Sequence, residues 1–111
     1  MKKITVIAIA VALAFTGSLF AQGKAAAGDA AKGKEVFDQC SVCHNADSTE
    51  VKMGPGLKGL FKGGRKLTDG KAVSDATVGA KIDAGGNGMP AYKDLLTPAE
   101  KTNVIAYLKT L

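Results

Sequence analysis

Tryptophan is absent from this 111-residue chain, and aromatic residues make up only 5% of it. Cysteine occurs twice, histidine once and proline three times. Each scarcity excludes something. Two cysteines, Cys40 and Cys43, cannot build the disulfide framework that staples many small exported domains. Together with the lone histidine they supply three donors, one short of a structural zinc site. No stretch alternates apolar and polar residues over a useful length, so little or no sheet is expected. No dense basic run occurs either, which makes nucleic acid a poor partner despite a formal net charge of +5. With so few aromatics, a domain of about 90 residues has a thin hydrophobic core. The composition therefore points to a large buried group that completes the interior.

The N-terminus is different in kind. Lys2 and Lys3 are followed by an almost wholly apolar run from Ile4 to Phe15, then by Thr16, Gly17, Ser18 and Leu19-Phe20-Ala21. A charged start, an apolar run and a small residue at the exit read as a secretory signal over residues 1–21. Cleavage is expected between residues 21 and 27, and the bond after Ala21 is favoured. Ala25-Ala26-Ala27 fits the small-residue pattern, but Lys24 and the longer gap from the apolar run count against it. The alternative is an uncleaved anchor from Ile4 to Ala21, just long enough to span a bilayer. Removing Lys2 and Lys3 from the 15 basic residues leaves 13 against 10 acidic ones, so the mature chain is mildly basic. Lys52, Lys58, Lys62, Lys66, Lys71 and Lys93 lie in its central part. They can steer acidic partners, or simply keep a small protein soluble.

After a linker over residues 22–28, one domain is expected from 29 to 111. A first helix runs from Asp29 to Cys40, capped by Asp29, with Ala30, Gly33, Phe37 and Cys40 on one face. Gly33 costs such a helix about 1 kcal/mol relative to Ala, and close approach by another helix would offset it. Residues 45–73 read mostly as loop, interrupted by Pro55 and by six of the chain's glycines between Gly54 and Gly70. Leu57, Leu60 and Phe61 are expected to form one short buried helical turn. A second helix starts at Ser74, with Val73 stapled onto Val78, and ends at Gly85-Gly86. The last helix opens on Thr97-Pro98-Ala99-Glu100, a capping box with proline at the first helical position. Val104, Ile105, Leu108 and Leu111 form its apolar face, with Tyr107 alongside.

Cys40-Ser41-Val42-Cys43-His44 is C-x-x-C-H, the haem-attachment signature. Two thiols add across two haem vinyl groups to form thioethers, and the two-residue gap lets one helical turn present both sulfurs to one porphyrin edge. His44 then lies under the iron. A thioredoxin-like couple would need a βαβ setting that this chain lacks. Since His44 is the only histidine, a second imidazole from the same chain is excluded. The sixth position falls to methionine, a less usual group, water or nothing. Met89 stands in Gly85-Gly86-Asn87-Gly88-Met89-Pro90, where glycines permit close approach to a flat cofactor and Pro90 keeps Met89 extended. Met53 follows His44 by only nine residues and reads better as a gap-filling core methionine. The expected iron ligands are therefore His44 and Met89.

Four features in this order resemble the class I monohaem cytochromes c. They are a Gly- and Phe-bearing helix running into CSVCH, then GPGLKGLF, then GMPAY, and a closing helix ending VIAYLKTL. The resemblance spans about Gly28 to Leu111. It implies an all-α fold of three or more helices around one covalent haem c, the first helix crossing the last with Gly33 and Phe37 against Tyr107 and Leu108. It implies that the Pro55 carbonyl accepts from the His44 ring N–H and that Arg65 lies near a haem propionate, although Lys62-Gly63-Gly64 departs from the tighter spacing of some members. The implied function is a monomeric, periplasmic carrier of single electrons, without enzymatic activity. Its redox partners would be a donor such as a quinol-oxidising complex and an acceptor such as a terminal oxidase or reductase. Two rivals are a gas- or peroxide-binding haem protein and a membrane-anchored subunit of a respiratory complex.

Overall fold

Asp29 starts the first helix as its sequence context predicts. In the computed structural model, which describes residues 28–111, the Asp29 carboxylate accepts from the backbone N–H groups of Ala31 and Lys32 at 2.9 and 3.1 Å. Helix α1 spans Ala30–Phe37. The chain then tightens rather than running on regularly to Cys40. Asp38 N–H donates to the Glu35 carbonyl, and the Ser41 hydroxyl takes the Asp38 carbonyl at 2.7 Å. A side chain that competes for a backbone acceptor in this way ends regular helix. The signal segment and the linker up to residue 27 lie outside the described residues.

Helix α2 spans Asp75–Ala84 and helix α3 spans Pro98–Leu108. Both open on reciprocal caps. Thr97 and Glu100 bond each other's backbone N–H groups at 3.0 and 3.1 Å, with Pro98 in the first turn. Ser74 does the same with Thr77, at 2.9 and 3.1 Å. Here a threonine fills the place usual for Glu or Gln, so the sequence showed the cap but not its partner. Between α1 and α2, Leu60 N–H reaches the Leu57 carbonyl at 3.0 Å, forming the expected turn. It does not lengthen into helix, because Gly59 sits at φ +71°. The described residues contain no strand, only two isolated bridges, Lys66–Ala72 and Gly86–Met89.

α1 crosses α3 at Gly33. A Cβ built there would lie 1.9 Å from the Asn103 carbonyl oxygen and 2.9 Å from Tyr107 Cβ. One turn later, the rings of Phe37 and Tyr107 meet in a tilted pair, with centroids 5.3 Å apart and planes at 55°. Asn103 adds a bond that sequence reasoning did not foresee: its Oδ1 accepts from Asp29 N–H at 2.8 Å. Asp83–Lys101 and Asp75–Lys109 ion pairs, at 2.8 and 2.7 Å, hold α2 in register on α3. Both are part-exposed, so each contributes less than about 1 kcal/mol.

The buried apolar residues are Phe37, Leu60, Val78, Leu96, Val104, Ile105 and Leu108. All except Ile105 also line one cleft of about 420 Å³. The core is thus a wall around a cleft rather than a solid centre. Among the described residues, no helix is long and apolar enough to cross a membrane.

Candidate cofactor site

Besides the apolar wall from the helices, four loop segments bring side chains to the cleft. The turn after α1 brings Cys40, Cys43 and His44; the loop that follows brings Met53, Gly54 and Pro55; the segment before α2 brings Arg65; and the loop after α2 brings Met89, Pro90 and Tyr92. Cys43 and His44 both donate backbone N–H bonds to the Cys40 carbonyl, at 3.1 and 2.9 Å. This single turn places the two sulfurs and the imidazole in one cleft. Burial, aided by the neighbouring Cys43, pushes the Cys40 thiol above its ordinary range. The raised thiol leaves Cys40 protonated at neutral pH.

His44 is fixed from two sides. Its Nδ1 lies 2.8 Å from the Pro55 carbonyl oxygen. A carbonyl can only accept, so Nδ1 carries the proton and Nε2 keeps its lone pair. Behind the ring lies Gly54. A Cβ at that position would stand 2.5 Å from His44 Cε1 and 3.0 Å from Nε2, so no other residue fits. Gly54 is a functional position that sequence reasoning passed over, although its place directly before Pro55 was a usable signal.

Met89 is held by a two-residue hairpin. Gly86 and Met89 exchange both backbone bonds, at 2.9 and 3.0 Å, around Asn87 and Gly88. Both central residues have positive φ, +52° and +88°, the signature of a type I′ turn, for which Asn-Gly is the preferred pair. Gly88 is therefore explained by turn conformation; a Cβ there would meet nothing within 4 Å. The Asn-Gly dipeptide is itself the signal for this turn. The following loop is tied down where Tyr92 N–H meets the Ile82 carbonyl at 2.9 Å. The Tyr92 phenol is shifted upward by burial and, secondarily, by the two cysteine thiols.

Met53 is no core methionine. Its side chain is 81% exposed, with Sδ 3.9 Å from Cys43 Sγ at the cleft mouth. The Gly54 N–H bond to the Cys43 carbonyl, at 2.8 Å, pulls this short loop outward along the attachment segment. Arg65 lines the cleft, but two of its donors are used on the loop: Nη1 reaches the Lys58 carbonyl at 2.8 Å and Nη2 the Gly56 carbonyl at 2.9 Å.

This donor set fits haem c. Two thiols at the attachment spacing, an imidazole with an oriented free lone pair, a thioether and a mostly apolar wall share one cleft, whose size lies in the range of about 300–1,000 Å³ usual for cofactor sites. The sequence pattern described as Cytochrome c matches residues 30–111. The chain belongs to the cytochrome c family. Cytochrome c2 of Blastochloris viridis is 46% identical over 59 residues, which cover 52% of this chain and 46% of that protein. Cytochrome c6 of a Picosynechococcus species is 33% identical over 114 residues, covering 97% of this chain and 92% of the relative. The crystal structure of cytochrome c6 from the diatom Phaeodactylum tricornutum superposes with a TM-score of 0.58 at 26% identity, over 75% of this chain and 93% of that one. The all-α architecture is thus that of the family, and Cys40 and Cys43 hold one covalent haem c.

Proposed function

We propose that this cytochrome is an exported one-electron carrier whose iron is bound by His44 and Met89. The observation that carries the ligand assignment is the pairing, in one cleft, of a His44 Nε2 left free by the Nδ1–Pro55 bond with the thioether of the Met89 hairpin. Bound there, haem c supplies one-electron exchange between Fe(II) and Fe(III). The chain's own residues determine the rest. The Pro55 carbonyl polarises the imidazole and raises its basicity. Met89 favours a higher potential than a second imidazole would. The hairpin and the Tyr92–Ile82 bond hold Met89 rigidly, which keeps reorganisation small. Arg65 has five guanidinium donors and uses two nitrogens on loop carbonyls, so its remaining donors can meet a propionate at the cleft.

We assign no catalytic residue. The partners we infer are redox proteins: a donor such as a quinol-oxidising complex and an acceptor such as a terminal oxidase or reductase. Exposed lysines including Lys52, Lys58 and Lys62 would steer them. The chain acts in the periplasm as a monomer on this reading, after removal of residues up to 21–27.

The test is a pair of variants. A methionine–iron(III) bond gives a weak band at the red end of the absorption spectrum. Met89→Ala should abolish it and let the ferrous protein bind carbon monoxide rapidly at neutral pH. Met53→Ala should do neither. Loss of the band in the Met53 variant with retention in the Met89 variant would reverse the assignment.

A further inference from the structure

Three cations line the cleft: Arg65 is tied to the loop carbonyls of Lys58 and Gly56, Lys66 is exposed, and Lys81 is half-buried. It lies in the last turn of α2, is half-buried and faces the same space as the apolar core. A Cβ built at Gly86 would be 3.8 Å from its Nζ, so the ammonium lies beside the hairpin that carries Met89. The acidic groups of α2 are engaged elsewhere: Asp83 pairs with Lys101, and Asp75 with Lys109. Among the described residues Lys81 makes no ion pair and no side-chain hydrogen bond. A cation at a helix C-terminus is mildly stabilising, and this alone would account for a surface lysine. It does not account for an unpaired ammonium beside the Met89 hairpin at the edge of the cleft.

We propose that Lys81 sets the reduction potential of the bound haem, its ammonium favouring the ferrous state. This deepens the carrier reading above and rests on it. Oxidation adds one positive charge at the iron. A half-buried cation beside a cleft walled by Val78, Ile82 and Leu96 opposes that charge through a medium that screens less than water. The interaction therefore raises the potential. It is electrostatic and requires no bond between Lys81 and the iron.

Potentiometric titration of the purified holoprotein tests this. Lys81→Met keeps length and removes charge; Lys81→Gln is a second, polar replacement in case the first folds poorly. Each should make reduction less favourable by about tenfold in equilibrium constant, a negative shift of about 59 mV for one electron. Lys81→Arg should restore the wild-type value. Lys71→Gln, at an exposed loop position outside the cleft, serves as a comparison. Its smaller shift should vanish at high salt, where the Lys81 shift persists. An unchanged midpoint in both uncharged Lys81 variants overturns the proposal, as does a shift that salt removes. So does loss of the red band in both, which would make Lys81 a packing residue of the hairpin. Absence of that band from the wild type counts instead against Met89 as a ligand, and the midpoint comparison still decides Lys81.

Discussion

Replacing Gly33 by alanine isolates the helix crossing on which the domain is built. In an isolated helix the change is favourable by about 1 kcal/mol. Here the new Cβ would stand 1.9 Å from the Asn103 carbonyl oxygen and 2.5 Å from its carbon. Those are backbone atoms of α3 and cannot rotate aside, so the helices must separate by about an ångström. Overpacking of this kind costs about 1–3 kcal/mol, and a backbone obstacle places it at the upper end. The net loss is then about 2 kcal/mol, or a fall in Tm of about 8–16 °C for a domain this size. Gly79→Ala provides the contrast. It is the same chemical change in α2, but its Cβ would meet only Ile105 Cδ1, at 3.6 Å. That variant should gain up to about 1 kcal/mol. Thermal or guanidinium unfolding of the two holoproteins gives both values. A neutral or stabilised Gly33→Ala variant would refute the close-approach argument.

Two further perturbations probe the cleft. Gly54→Ala drives a methyl group into the His44 ring and should cost about 1–3 kcal/mol while altering the iron spectrum; an unchanged spectrum would show that the ring is not held from behind. Burial raises the Tyr92 phenol, so its contribution to stability is full below the ordinary tyrosine range and is lost as pH rises through the folded value. Tyr92→Phe should flatten the alkaline decline in urea midpoint, and the same decline in both proteins would locate its cause elsewhere.

Much of this architecture could be read from local chemistry. Asp29, Ser74 and Thr97-Pro98 fixed the helix starts because a cap is a local bond between neighbours. The attachment motif carried its chemistry in five consecutive residues. Gly33 signalled a crossing through its cost to the helix, but its counterpart Asn103 stayed hidden, since the partner of a steric contact leaves no mark in its own segment. Met53 was misjudged for a similar reason: apolar character suggested burial, and only the Gly54–Cys43 bond reveals that the loop turns outward. Asn87-Gly88 was readable as a turn as well as a point of access to the cofactor, because Asn-Gly is the preferred pair of a type I′ turn. Lys81 resembled any basic residue in a last helical turn, because charge alone does not indicate which way a flexible side chain points.

Covalent attachment of one haem to Cys40 and Cys43 is open to direct test. Intact mass measurement of the purified protein, after denaturation and acid-acetone extraction, tests it directly. A single species is expected, with the mass of one haem added to a chain that begins between residues 22 and 28. A bare polypeptide mass, with the haem recovered in the solvent, would contradict it.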